Sequence, residues 1–295
     1  MSENNNSLRS PLAYENKHFL DSPDGRILRI LAEYQEPLAR FRRERIQDTV
    51  VFFGSARFTS LSDAEDALAL LQKPGSNKLA PPEMQREEKL RKAAVEMARY
   101  YEDARKLAFL LTEWAMTLES KRQRFVVTTG GGPGIMEAAN RGAYEAGGKT
   151  VGLNIALPFE QMPNPYISPE LNFEFHYFFM RKLWFAYLAK ALIVFPGGFG
   201  TFDEMFEILT LAQTEKLAKK IIVVLYGSDY WNRVINFQAL VDAAVISPED
   251  LNLFKMCDCS EDAFEYLREG LIEHHLHYAP PGKMQRVPEI AKTRR

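Results

Sequence analysis

The sequence is poor in the features of exported and membrane-embedded proteins. It has only two cysteines, Cys257 and Cys259, and their separation by one residue does not suit a stabilising disulfide framework. No apolar run approaches the roughly 20 residues that a membrane-spanning helix needs. The polar, asparagine-rich start, residues 1–10, has no hydrophobic segment of the signal-peptide type. These absences predict a cytoplasmic protein that does not bind membranes.

An excess of charge of either sign is missing too. Lysine and arginine together number 37, against 39 aspartate and glutamate residues, which gives a net charge of -2. A general attraction to nucleic acid is therefore not expected, and any anion site must be local. A metal site is not predicted either, because no second metal-spaced pair accompanies His274, His275, His277 and the two cysteines.

Hydrophobic residues make up 46% of the chain, which is enough for a large core, and they fall into alternating strand-like and helix-like segments. Strands are predicted at residues 49–53, 125–129, 150–155, 172–176, 191–195 and 221–226. Helices are predicted at residues 27–41, 87–118, 135–146, 180–189, 231–241 and 261–274. A further helix is predicted to begin at the turn formed by residues 196–201 and to end at residue 213. This alternation predicts an α/β fold with a doubly wound parallel sheet, flanked by N- and C-terminal helical extensions.

The chain is predicted to form one domain over residues 25–278. The polar residues 1–24 are interpreted as a flexible arm, and residues 279–295, with Pro280, Pro281 and later basic residues, as a flexible tail. Residues 72–83 contain three prolines and one glycine, which predicts an irregular surface loop.

Glycine-rich turns follow two of the predicted strands, each directly before a helix. Free N–H groups and the positive end of the helix dipole meet at such a turn, and both favour a phosphate. The candidates for phosphate and ribose binding are Gly130, Gly131, Gly132 and Gly134 in one turn and Gly197, Gly198, Gly200 and Thr201 in the other. The alternative for each turn is that glycine is needed only for tight packing. An NAD fingerprint is not present, because Asp203 stands where its third glycine is required.

Charged side chains near these turns have two interpretations each. Thr201 and Glu204 have the spacing of a capping box, which predicts that they satisfy the N–H groups of their own helix. Glu204 is alternatively a group that binds ribose or orients water. Arg181 and Lys182 lie at the start of a predicted helix, where positive charge is unfavourable, so either a bound anion or a nearby carboxylate is expected to compensate.

The motifs together resemble the LONELY GUY family of nucleotide phosphoribohydrolases, long labelled as lysine decarboxylases. The resemblance covers residues 50–228 and is carried by residues 130–140 (GGGPGIMEAAN), 179–182 (FMRK) and 196–204 (PGGFGTFDE). It implies a Rossmann-like sheet, a homodimer, and hydrolysis of the N-glycosidic bond of a purine nucleoside 5'-monophosphate to free base and ribose 5-phosphate. The extensions indicate a longer, bacterial-type member.

The resemblance also implies roles for particular residues. Arg181 and Glu204 match the catalytic pair, and the two glycine turns match the phosphate and ribose loops. Gly54, Ser55 and Lys182 are further nucleotide-binding candidates. Cytokinin-activating members usually carry Met-His-x at the place of residues 178–180, here Phe-Phe-Met, so an AMP-like substrate is expected.

The chemistry of an N-glycosidase suits these residues. Positive charge develops on the ribose as the bond breaks, and a carboxylate such as Glu204 stabilises that charge or activates water. Arg181 remains protonated, so it orients substrate or stabilises the departing base. No metal or redox cofactor is required. The alternative is a nucleotide-binding sensor or carrier without turnover, while lysine decarboxylation would need a pyridoxal phosphate site that no sequence feature indicates.

Overall fold

The structure is a computed structural model that describes residues 10–73, 80–157, 162–217 and 219–276. Its helices are α1 (Lys17–Asp21), α2 (Arg26–Arg43), α3 (Leu61–Gln72), α4 (Pro81–Met116), α5 (Ile135–Glu145), α6 (Phe178–Leu188), α7 (Phe199–Gln213), α8 (Ser228–Val234), α9 (Phe237–Asp242) and α10 (Ser260–Leu271). Its strands are β1 (Thr49–Phe53), β2 (Val126–Thr129), β3 (Thr150–Ile155), β4 (Asn172–Phe175), β5 (Ala189–Val194), β6 (Ile222–Tyr226) and β7 (Lys255–Cys257). Short 3-10 helices occupy Ala13–Glu15, Pro169–Leu171 and Pro248–Leu253, and a π-helical turn occupies Ile272–Leu276.

The seven strands form one sheet in the order β4-β3-β2-β1-β5-β6-β7, and every pair is parallel. The predicted Rossmann-like α/β fold is therefore confirmed. Its central strands read as continuous apolar runs because helices cover both faces; all five residues of β1 are buried. Strand order reverses between β1 and β5, and in such sheets ligands bind beyond the carboxyl ends of the strands at this point.

Two apolar cores lie on the two faces of the sheet. One includes Phe41 of α2, Trp184 of α6 and Met205 of α7. The other includes Leu107 of α4 and Ala139 of α5. Lys219 stabilises the C-terminal end of α6. Its Nζ donates to the carbonyls of Ala186 and Tyr187, at 2.9 and 2.8 Å.

Most predicted elements occur within a few residues of their expected positions, and the differences have local causes. The loop predicted at 72–83 is wrong at its C-terminal end, because α4 begins at Pro81. Proline is well tolerated in a first helical turn, since the N–H that it lacks would have no acceptor within the helix. Residues 74–79 of that loop lie outside the described residues. Helix α3 was not predicted: of its side chains only Ala64 is buried, so it shows no apolar stripe.

The C-terminal third contains two further differences. The helix predicted at 231–241 is divided into α8 and α9, because Asn236 caps the second helix by accepting the Ala239 N–H at 3.0 Å. The edge strand β7 was also missed, since it has only three residues.

The ends of the chain are described only in part. Residues 10–24 of the predicted arm contain a 3-10 helix and α1, whose start is capped by Asn16. Residues 1–9 and the predicted tail, 279–295, lie outside the described residues. Within the described ranges, no helix is both long enough and apolar enough to cross a membrane.

Helices α4 and α5 approach closely at Gly142, where an added Cβ would lie 1.9 Å from the Arg105 carbonyl oxygen. We expect Gly142→Ala to lower the free energy of unfolding by about 2 to 3 kcal/mol, because the backbone of α4 has to move. Gly147→Ala is the matched control: it has open space but a φ of 81°, so a loss of about 1 kcal/mol is expected. Urea unfolding measures both. A smaller loss for Gly142→Ala than for the control would contradict the close contact.

Candidate active site

The loops that follow β1 and β5 meet at the point where strand order reverses. Ser55 N–H donates to the Pro196 carbonyl at 2.9 Å. Gly197 lies so near this loop that an added Cβ would be 3.1 Å from the carbonyl carbon of Gly54. Gly54 in turn faces α5, because its Cβ would be 2.7 Å from Cβ of Ile135. Tight packing thus explains why these two positions are glycine.

The turn at residues 130–134 is also constrained by its neighbours. Gly131 and Gly134 have φ values of 76° and 74°, in the region that favours glycine. The Ile135 N–H donates to the Ser55 carbonyl at 3.0 Å, which joins the start of α5 to the β1 loop. Gly130 lies next to Arg181, whose Nη1 would be 3.9 Å from an added Cβ. The packing interpretation therefore accounts for Gly131 and Gly134, and Gly130 borders the charged pair.

The start of α7 differs from the predicted capping box. The helix begins at Phe199 with Gly198 as its N-cap, and no side chain caps it. Thr201 is thus the third helical residue and Glu204 the sixth, so the capping prediction is wrong because the helix begins three residues too early for Thr201 to be its N-cap. Apart from the adjacent residues and the backbone of α7, no atom of the described residues lies within 4 Å of a Cβ added at Gly198 or Gly200.

Donors remain available at this helix start. Among the hydrogen bonds of the described residues, none uses the N–H of Phe199, Gly200 or Thr201, as is usual for a first helical turn without a cap. The Tyr230 hydroxyl donates to the Gly197 carbonyl at 2.6 Å and holds the loop from the other side. The arrangement presents free N–H groups and the positive helix dipole to an anion.

Arg181 and Glu204 are brought together from two helices. Nη2 of Arg181 on α6 lies 3.4 Å from Oε1 of Glu204 on α7. Glu204 is only 5% exposed, and the Arg181 guanidinium lies 5.2 Å from the ring centre of Phe178 and 5.6 Å from that of Phe185. Nε of Arg181 is buried without a partner among the described residues. The pair is long for a charge-assisted hydrogen bond, so neither group is fully satisfied.

Burial dominates the electrostatics of this pair. It raises the pKa of Glu204 to about 7, although Arg181 and Lys182 act in the opposite direction. Burial also lowers the pKa of the Arg181 guanidinium, which Glu204 partly offsets. Glu204 can therefore exchange a proton near neutral pH, which suits a general base or acid, whereas Arg181 stays charged.

Lys182 points toward carboxylates of α7. Its Nζ lies 2.7 Å from Asp203 and 3.0 Å from Glu207. These carboxylates and Glu204 compensate the basic pair at the start of α6, which is the alternative that needs no bound anion. A nucleotide contact for Lys182 remains a prediction.

A buried polar network behind the first glycine turn was not predicted. Thr129 Oγ1 donates to Asn140 Oδ1 at 2.7 Å and accepts the Gly131 N–H at 3.0 Å. Nδ2 of Asn164 lies within 3.1 Å of Asn140 Oδ1 and of the carbonyls of Gly131 and Gly132. Asn164 is distant in sequence, so no spacing rule could have indicated its contact with this turn.

No metal centre accompanies this network. In the described part of the chain, no group of three or more His, Cys, Asp or Glu side chains is placed to hold a metal ion. His277, one of the candidates considered from the sequence, lies outside it.

The fold and site together define a Rossmann-like α/β protein in which an uncapped helix start lies on the same helix as a buried carboxylate, paired with a half-buried guanidinium. The family model described as "Possible lysine decarboxylase" matches residues 136–267. Among curated relatives, the probable cytokinin riboside 5'-monophosphate phosphoribohydrolase LOGL3 of Oryza sativa subsp. japonica is 25% identical over 50% of this chain and 70% of its own length. The corresponding Arabidopsis thaliana enzyme LOG7 is 28% identical over 43% of this chain and 58% of its own length. This chain is therefore similar to the LONELY GUY family of phosphoribohydrolases, as the three motifs indicated.

Solved structures show a more distant likeness. The molybdenum cofactor carrier protein of Chlamydomonas reinhardtii is 17% identical, with a TM-score of 0.41 over 76% of this chain and 98% of that chain. The molybdenum cofactor binding protein of Rippkaea orientalis is 18% identical, with a TM-score of 0.42 over 58% of this chain and 86% of that chain. At this level of similarity neither likeness bears on function.

The pKa of Glu204 predicts how stability depends on pH. Because the folded protein raises this pKa from 4.5 to about 7, the carboxyl group contributes stability below its ordinary pKa, and that contribution is lost as pH rises through 7. Glu204→Gln stays neutral. We expect its stability relative to the parent to increase by about 2 to 3 kcal/mol between pH 4.5 and pH 8.5. Urea unfolding at both pH values measures this, and parallel pH profiles would contradict a buried, titrating Glu204.

Proposed function

We propose that the protein hydrolyses the N-glycosidic bond of an AMP-like purine nucleoside 5'-monophosphate and releases the free base and ribose 5-phosphate. The observation that carries the proposal is the buried Arg181–Glu204 pair, 3.4 Å apart, beside the uncapped start of α7. The curated relatives are phosphoribohydrolases of cytokinin riboside 5'-monophosphates, which supports the reaction class. The chain spans 58% of the length of LOG7.

Each part of the substrate has a partner in the proposed site. The 5'-phosphate accepts hydrogen bonds from the N–H groups of Phe199, Gly200 and Thr201 at the positive end of α7. Glu204 lies on the same helix, one turn further, and is therefore directed at the ribose when the phosphate occupies the helix start. Arg181 faces the base from α6.

The reaction then follows from the charges. Ionised Glu204 accepts a proton from the attacking water, whose oxygen forms the new bond to C1' of the ribose. The bond from C1' to the base nitrogen breaks, and its electron pair leaves with the base, where the Arg181 guanidinium stabilises the negative charge until the base is protonated. Positive charge on the ribose during bond cleavage is stabilised by the same carboxylate.

Binding without turnover is the competing function. A sensor or carrier would use the same phosphate donors, but it would gain nothing from a carboxylate buried at an energetic cost beside the ribose. Decarboxylation of lysine is disfavoured because Lys182, next to the proposed catalytic arginine, is paired with Asp203 and Glu207.

We expect the protein to convert AMP to adenine and ribose 5-phosphate without added metal, and to use adenosine poorly because the phosphate anchor is lost. Glu204→Gln should lower kcat on the order of a hundredfold or more, with nucleotide affinity nearly unchanged. Asp203→Asn, which removes a 56% exposed carboxylate from the same helix, is the control and should retain most turnover. Chromatography of the products measures all three. Binding of AMP by calorimetry with no release of base by the parent would favour the sensor or carrier.

We also propose a homodimer. The large apolar side chains of α6 do not form its interface, because Trp184, Phe185, Tyr187 and Leu188 are buried in the protomer itself. Exposed aromatic side chains occur instead near the site, where Phe199 is 97% exposed and Phe206 39% exposed. They line a shallow apolar groove on α7, and a second copy is the occupant that the family resemblance implies.

Light scattering at micromolar concentration is expected to give twice the mass of the 33.8 kDa chain. Phe206→Ser should weaken the dimer because it places a hydroxyl group in the apolar groove, whereas Leu90→Ser, at a 56% exposed position on α4, should not. A monomer at all concentrations would defeat the proposal, and equal effects of both substitutions would place the interface elsewhere.

A further inference from the structure

Helix α2 lies outside the segment that the family model matches, yet it contacts the start of the helix that carries Arg181. The Glu33 side chain accepts two backbone hydrogen bonds there. Its Oε1 accepts the His176 N–H at 2.7 Å, and its Oε2 accepts the Tyr177 N–H at 3.3 Å. Tyr177 is the N-cap residue of α6.

Other contacts hold α2 and α6 in one register. The Trp184 indole N–H donates to the Glu33 carbonyl at 2.9 Å, and Trp184 is 2% exposed. Nε of Arg29 donates to the Tyr177 hydroxyl at 3.3 Å. Arg181 lies between Tyr177 and Trp184, so the turn that carries it is held at both ends.

The sequence of α6 explains why an external carboxylate is needed. Its first turn has no acidic residue, and the side chain of its N-cap residue accepts none of the helix N–H groups, while Arg181 and Lys182 place two positive charges close to the positive end of the helix dipole. Such a helix start frays unless other groups accept its N–H bonds and offset its charge. Glu33 does both.

We propose that Glu33 is a positioning residue, which fixes the start of α6 and thereby holds Arg181 at its distance from Glu204. The proposal rests on the function proposed above, because it assigns α2 to the same site. It gives the N-terminal extension a role: α2 supplies the carboxylate that α6 itself lacks.

The test compares Glu33→Ala and Glu33→Gln with Glu36→Ala. Glu36 lies on the same helix, is 52% exposed and pairs with Arg40, so its loss removes a carboxylate without touching α6. We expect Glu33→Ala to lower kcat for AMP on the order of tenfold with KM within about twofold, since the phosphate is held by α7 and not by α6. Glu33→Gln keeps an oxygen for one N–H but loses the second acceptor and the charge, so we expect its kcat to lie between those of the parent and of Glu33→Ala.

A second measurement does not depend on turnover. If Arg181 moves away, it no longer lowers the pKa of Glu204, while Lys182 on α6 and the carboxylates of Asp203 and Glu207 on α7 remain as its charged neighbours. The titration midpoint of Glu204, followed by carbon NMR and assigned with Glu204→Gln, should therefore rise above about 7 in Glu33→Ala and stay unchanged in Glu36→Ala. Amide exchange at residues 176–182 should become faster in the same variant.

The two measurements separate the two proposals. A parent without turnover would overturn the proposed function, and the Glu204 titration would still decide the role of Glu33. Unchanged Glu204 titration and kcat in a folded Glu33→Ala variant would overturn the positioning role. Equal losses in Glu33→Ala and Glu36→Ala would do so as well, because they would show a general effect of α2.

Discussion

The close approach between the ends of β1 and β5 is the constraint on which the candidate site depends. Parallel neighbours bring their carboxyl ends to one edge, and the loops that leave them must then turn to opposite faces. Glycine is needed beside this contact at Gly54, where an added Cβ would meet Ile135 of α5, and at Gly197, where it would meet Thr201 of α7. With larger residues the start of α7 would be displaced from the β1 loop, and the N–H donors would no longer face the space beside Arg181.

The charged pair shows a second level of organisation, in which burial matters more than direct attraction. At 3.4 Å the Arg181–Glu204 contact is too long to offset the loss of hydration of Glu204, so the carboxyl group stays near its titration point. Lys182, one residue away, forms shorter contacts with more exposed carboxylates. The two neighbouring cations of α6 therefore differ in their contacts. Arg181 lacks a close hydrogen-bond partner at the site, whereas Lys182 forms ion pairs that join α6 to α7.

Sequence patterns predicted the fold well because each strand and each turn is marked by residues that are adjacent in the sequence. Buried parallel strands such as Thr49–Phe53 are continuous apolar runs, and the glycine turns mark their ends. The family resemblance also identified Arg181 and Glu204 as a pair. They failed where a single residue decides the outcome: α7 begins at Phe199, so the Thr201–Glu204 spacing does not form a capping box. Contacts such as Asn164 with Gly131, or Glu33 with His176, join distant segments and leave no periodic signal.

The pairing of β1 with β5 also has a consequence for how the protein acquires its structure. Phe53 pairs with Val194, so about 140 residues separate the two strands that flank the site, and closing so long a loop costs entropy before any contact rewards it. During synthesis the N-terminal strands can pair among themselves, but the crevice cannot form until β5 and α7 have left the ribosome. Nucleotide binding would then indicate that the sheet is complete. A ligand that binds only the complete crevice would also stabilise the native state relative to late folding intermediates by mass action.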